Sequence, residues 1–309
     1  MQNHSSSSLN STSWKTENLV SSALMGLCFM IGVPGNIAVI LLIVQHFKKD
    51  NFTVHLMLNL AAADILCLIT LPVWIYSELN SINQSTCKLF TALVYCSMYS
   101  GLITVTMMSL YRCLRIRHPQ LWSRIGRRRE RVLLFSVWAL SLLFSCPGVL
   151  TQDIILSESK MECERNLDSD ARLIVAVMES LLGFFLPLTV MLTSYYCLHK
   201  MASQRAFRHR YRPAKLVTRI IVIFFICWAP HHIIKLEEIV AQFLKSEPVL
   251  SPVSGIAGCL TFINSCVNPF LYAFSSKSLH RQKSPVEPKT KDSQHSMEGH
   301  SRVVNSSLV

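Results

Sequence analysis

One acidic residue stands in surroundings that are otherwise apolar. Asp64 lies midway along LNLAAADILCLITLP, and a charge buried in such a stretch is costly enough to make it a functional candidate. Asn36, Asn264 and Asn268 lie in other apolar stretches and can join it in a polar cluster. Carboxylate and amide oxygens suit a small hard cation such as sodium. The same groups can instead form a neutral hydrogen-bonded packing network. Two prolines add a different kind of chemistry. Pro230 follows Trp228 in ICWAP, and Pro269 follows Asn268 in NPFLY. Each removes a backbone hydrogen bond and frees the carbonyl four residues back, at Ile226 and Ser265. Away from water such carbonyls need polar partners, so kinks of this kind settle beside polar networks and can serve as hinges.

The elements that must position these residues are long apolar segments. Of 309 residues, 50% are hydrophobic and only 16% charged. Crossing hydrocarbon takes about 20 residues in a helix, and seven stretches qualify, near 19–46, 54–78, 87–113, 131–152, 171–200, 215–244 and 250–274. The expected fold is an all-α membrane protein, a seven-helix bundle. Residues 1–18 form a polar N-terminal tail, 19–274 the spanning domain, and 275–309 a Ser-rich tail with too few apolar residues to bury a core. The first apolar block is of full span length, so it is expected to act as an uncleaved anchor.

Charge sets the orientation. Arg115, Arg117, Arg124, Arg127, Arg128, Arg129 and Arg131 lie between the third and fourth spans. Lys200, Arg205, Arg208, Arg210, Arg212 and Lys215 lie between the fifth and sixth. The loop after span four mixes signs, with Asp153, Glu158, Lys160, Glu162, Glu164 and Asp168. The excess of lysine and arginine on one side puts the N-terminus outside and the C-terminus in the cytosol. The net charge of +12 thus belongs to one membrane face, where it meets anionic lipid, and is not a nucleic-acid footprint. Nine of the eleven cysteines fall within spans. Cys87 and Cys163 lie at the outer surface, where a disulfide persists, and are expected to pair. Asn3, Asn10 and Asn83 head outer-side glycosylation sequons. The spans hold no convergent set of nucleophile, base and oxyanion donors, so an enzyme is not expected. Nor do they show the repeated halves of a transporter.

These features converge on a resemblance. The chain resembles rhodopsin-like G-protein-coupled receptors through Gly35–Asn36, LAAAD ending at Asp64, Cys87, Arg112 in LYRC, Trp138, Pro187, CWAP ending at Pro230, and NPFLY ending at Tyr272. The resemblance implies that Arg112 closes the inner end of span three and that Tyr195 and Tyr272 swing towards it. It also implies that Trp228 and Pro230 couple ligand to movement of the sixth helix. Asn268 and Pro269 belong to the same switch, and Asp64, Asn264 and Asn268 to a sodium site. Two departures stand out. Tyr111 replaces the usual acid before Arg112, which implies raised ligand-free signalling. Gly101 replaces a hydroxyl residue of the sodium site.

The chain further resembles leukotriene B4 receptors, through SWKT, SMYS, SLYRCL, ESLLGFFLP and CWAPHHIIKL. That implies a ligand derived from an oxidised fatty acid, with the chemoattractant-peptide receptor as the alternative. It also implies a ligand site of Glu179, His231, His232, Lys235, Tyr99 and Trp228. Here Glu179 must be paired or protonated, and Lys235 either serves a ligand carboxylate or snorkels to the interface. Thr91 and Gln152 stand where that family has basic or aromatic groups. The implied partners are membrane lipids, a heterotrimeric G protein of the inhibitory class, and arrestin through a phosphorylated tail.

Overall fold

The computed structural model describes residues 3–46, 52–120, 126–157, 160–166, 169–202, 213–246, 249–250 and 253–280. The basic inner loop 203–212 and the tail beyond 280 lie outside them, as do the side chains of Asn3, Asn10 and Tyr272. Among the described residues there are seven helical rods. They are α1 (Asn3–His46), α2 with α3 (Phe52–Leu68 and Leu71–Leu79), α4 (Gln84–Arg117), α5 (Arg127–Leu150), α6 running through a π segment into α7 (Ser169–Ser180, Leu181–Phe185, Leu186–Ala202), α8 (Pro213–Leu244) and α9 (Ser254–His280). Five stretches among the described residues are long and apolar enough to cross a membrane, 18–45, 52–78, 84–117, 128–150 and 170–201.

The polarity of the bundle is inverted relative to a water-soluble protein. Phe135, Leu143, Ile226 and Phe270 face outward, while Asn36, Asp64, Thr104 and Asn268 are buried. Apolar exteriors of this kind are stable against lipid, and the interior polar groups then hold helices to one another. α4 is the central rod and packs against α2, α5 and α7, while α1 packs on α9 and α9 on α8.

The rods depart from the sequence expectation at four places. α1 begins at Asn3 and not near residue 19, because extending an existing helix costs no new nucleus. α9 likewise runs to His280, past residue 274. The second span is broken at Ile69–Thr70, just before Pro72, and the buried Thr70 hydroxyl bonds the Cys67 carbonyl at 2.6 Å. The outer segment expected to be a plain loop is an antiparallel hairpin, β1 (Gln152–Ser157) with β2 (Lys160–Arg165), in which Gln152 faces Arg165 and Ile154 faces Cys163. Cys163 is joined to Cys87 in the first turn of α4, so the hairpin is fixed over the top of the bundle.

Candidate functional site

Helix geometry assembles the outer site. His231, His232 and Lys235 lie three, four and seven residues after Trp228, which puts the four on one face of α8. That face opens on a cavity of about 330 Å³ whose wall also holds Tyr95 and Tyr99 of α4 and Glu179 of α6. All six ligand-site residues expected from the sequence therefore meet around one space.

Glu179 is paired. Lys235 Nζ donates to its Oε2 at 2.8 Å, so Lys235 turns into the bundle and does not snorkel outward. The second partner is Arg165 at the end of β2, whose guanidinium donates to both carboxylate oxygens and to the Tyr95 hydroxyl. Its charge also lies over the Tyr95 ring, 5.6 Å from the centroid. A buried carboxylate is tolerated only with such partners, and the guanidinium fork matches the two oxygens. Arg165 is absent from the sequence-derived site. The signal for it was present, since it stands two residues after Cys163. Strand periodicity puts both on the same face, and the disulfide fixes that face against α4. A second space of about 340 Å³ lies under the hairpin, walled by Trp74, Thr91, Tyr95, Gln152, Cys163 and Arg165 among others. Gln152 Nε2 donates to the Cys163 carbonyl at 3.0 Å, so this residue braces the hairpin.

Below the cavity runs an aromatic column. Phe224, Trp228 and His232 recur every four residues on α8. Their rings stack at centroid distances of 5.8 Å and 5.9 Å. Phe184 lies against both ends of the column, 5.9 Å from Phe224 and 5.0 Å from His232. The His232 ring nitrogen Nδ1 faces Ser180 Oγ at 3.4 Å. Phe184 belongs to the π segment, where the Leu186 N–H reaches back five residues to Leu181. Pro187 follows at once. It cannot donate to the carbonyl of Gly183, and the widened turn accommodates it.

The middle of the bundle carries two polar ties. Asn268 Nδ2 donates to Asp64 at 2.7 Å, and Asn36 Nδ2 donates to the Gly32 and Ser265 carbonyls at 2.9 and 3.0 Å. The second tie uses Trp138 Nε1, which donates to Asn59 at 2.8 Å, while Asn59 donates to Thr104 at 2.7 Å. Asn264 is half-buried one turn before Asn268. Around Asp64 the residues do not fit a sodium cage, because Asn268 presents amide hydrogens and Gly101 has no side chain to offer an oxygen. They fit the hydrogen-bonded packing network. Among the described residues there is also no cluster of three or more His, Cys, Asp or Glu able to hold a metal.

At the opposite end, Tyr111 is 5% exposed and packs edge-on against Phe52 of α2, with ring centroids 5.3 Å apart. Its hydroxyl receives Arg115 Nη1 at 3.5 Å. Arg112 is half-buried and has partners of its own, so the tyrosine before it does not leave it idle. Tyr195 is half-buried, its ring 6.0 Å from His199. Pro230 and Pro269 lie inside α8 and α9.

Comparison with known proteins supplies the remaining finding. A family described as "7 transmembrane receptor (rhodopsin family)" matches residues 35–272. Among similar proteins are the C5a anaphylatoxin chemotactic receptor 1 of Danio rerio, 31% identical over 270 residues, covering 83% of this chain and 77% of that protein. C-C chemokine receptor type 1 of Homo sapiens is 29% identical, covering 81% of this chain and 74% of its own length. Type-1 angiotensin II receptor B of Xenopus laevis is 27% identical, covering 82% and 75%.

Proposed function

Since this chain belongs to the rhodopsin family of seven-transmembrane receptors and is a multi-pass protein of the plasma membrane, we propose that it is a chemoattractant receptor. Its ligand is a peptide that enters the cavity at Glu179, His231 and Lys235. Its output is nucleotide exchange on a heterotrimeric G protein of the inhibitory class. The N-terminus lies outside and the arginine-rich loops lie in the cytosol, following their charge.

The observation that carries this reading is the continuity between cavity and column. Trp228 and His232 line the cavity and also belong to the ring stack that descends to Phe224. A ligand pressing on these rings favours one packing of α8 over another, and that difference in affinity shifts the population of states. Pro230 supplies the bend within the same helix. Arg112, Tyr195 and Tyr272 are the residues proposed to act at the G-protein end, and arrestin engages the Ser-rich tail.

The choice of ligand departs from the sequence expectation. A leukotriene B4 receptor was expected from local motifs, with the chemoattractant-peptide receptor as its alternative. The relatives carry the names of C5a, chemokine and angiotensin II receptors, and these support the alternative. The test is ligand-dependent nucleotide exchange on added G protein, using membranes that hold the full chain and a panel of chemoattractant peptides beside leukotriene B4. Exchange driven by a peptide is the expected result. Exchange driven by the leukotriene alone overturns the ligand assignment, and solute flux without exchange overturns the receptor.

A further inference from the structure

The Glu179 cluster holds two cations and one carboxylate. Lys235 alone keeps a 2.8 Å contact with Glu179, so Arg165 can leave without stranding the acid. Arg165 also forms part of the wall under the hairpin, which holds the donors of Thr91, Trp74, Tyr95 and Gln152 beside one acid, Glu164. The Thr91 side chain is 2% exposed, and its hydroxyl has no hydrogen-bond partner among the described residues. The same holds for the indole N–H of Trp74, which can only donate. Buried donors without acceptors are costly, and their occurrence at one cavity points to an acceptor that arrives from outside. The nearby acids do not fill this role. Glu164 also lines this space but is exposed to solvent, while Glu78 of α3 lines the first cavity and has its own partners.

We propose that the space under the hairpin, bounded by Arg165, Thr91 and Trp74, is a subsite for a carboxylate group of the ligand. On binding, Arg165 turns from Glu179 to the incoming carboxylate and Glu179 retains Lys235, so two acids share two cations. Thr91 and Trp74 complete the acceptor cradle. This deepens the ligand site proposed above and rests on it. The same chemistry is offered by the free C-terminus of a peptide and by the head of a fatty acid.

The test uses the full chain in lipid nanodiscs and reads thermal melting and binding without G protein. The probes are a polyunsaturated long-chain fatty acid against its primary amide, and an N-acetylated apolar peptide with a free C-terminus against its C-terminal amide. In at least one pair the carboxylate raises the melting temperature and the amide does not, and the pair that responds identifies the source. Arg165→Gln removes that difference. Thr91→Val, which conserves shape, and Trp74→Phe, which keeps an aromatic ring but no N–H, each weaken carboxylate binding about tenfold, as expected for one charge-assisted hydrogen bond. The subsite is overturned if carboxylate and amide act alike in both pairs, or if the preference survives the combined Thr91→Val, Trp74→Phe variant. Carboxylate binding here, together with no exchange for any ligand in the G-protein assay above, would instead defeat the receptor reading and leave the subsite standing.

Discussion

Asn36 of α1 donates to the Ser265 carbonyl of α9 at 3.0 Å, and that carbonyl is the one Pro269 leaves without its helical partner. The kink in one helix is thus satisfied by a side chain of another. Gly35 beside it completes the fit, since a Cβ there would come within 3.2 Å of the Pro269 ring. The bond also occupies the amide of Asn36, while Asn268, next to the proline, serves Asp64.

Replacing Asn36 with Ala strips the Ser265 carbonyl of its donor within an apolar interior. The expected cost is about 1–3 kcal/mol of stability, visible as a lower melting temperature of the purified chain. An unchanged melting temperature would show that the carbonyl finds another donor.

Gly32→Ala tests how closely α1 approaches its neighbours. The new Cβ would meet Leu68 Cδ1 at 2.5 Å and Cys266 Sγ at 2.9 Å, so something must move. A loss of about 1–3 kcal/mol is expected, as for other overpacked cores, whereas Gly26→Ala, with open space around it, is expected to leave stability unchanged.

The pairing of Arg165 with Glu179 depends on a strand held by one disulfide. A double-mutant cycle of Arg165→Gln and Glu179→Gln is expected to give a coupling of about 1–3 kcal/mol in thermal or chemical unfolding. Repeating the cycle with Cys87 and Cys163 both replaced by Ser should bring the coupling close to zero. Equal coupling in the two backgrounds would mean that the hairpin is held in place without the covalent link.

Asn83 allows a glycan and a helix cap to be separated. Its Oδ1 accepts from Thr86 N at 2.8 Å at the start of α4, and the residue is exposed. Asn83→Asp should abolish the glycan and keep the cap. Asn83→Ala should abolish both and cost a further ~1 kcal/mol. A mobility shift on deglycosylation, present in the parent and absent in both variants, is the measurement. No shift in the parent would count against the N-terminus-outside orientation.

How much of this was visible in the sequence depends on how far each signal lies from its partner along the chain. The spans and the two kinks were legible because a polar or bent residue stands out in an apolar run, and the expected ligand-site residues because their motifs resemble those of a known family. Trp228, His232 and Lys235 entered the expected site through the family resemblance, and their helical spacing agrees with one face. Arg165 was not legible in the same way, because it lies in a polar loop where an arginine is unremarked. Its role arises from a disulfide and a strand register. The π segment was also missed. Pro187 marked a disturbance, but no residue in Leu181–Phe185 distinguishes a widened turn from an ordinary one. The packing network round Asp64 was hard to read for a simpler reason, since a sequence does not say whether Asn268 turns its oxygen or its nitrogen to the carboxylate.

The widened turn at Leu181–Phe185 also sets the angular phase of its rod. Adding one residue to a turn rotates everything beyond it by roughly 100° relative to a regular helix. Glu179 lies before that insertion and Tyr195 after it, so the directions in which they point are not bound by a single helical register. The outer half of the rod can be aimed at the cavity and the inner half at its own neighbours. A change of one residue in this segment would redirect one end and leave the contacts of the other where they are.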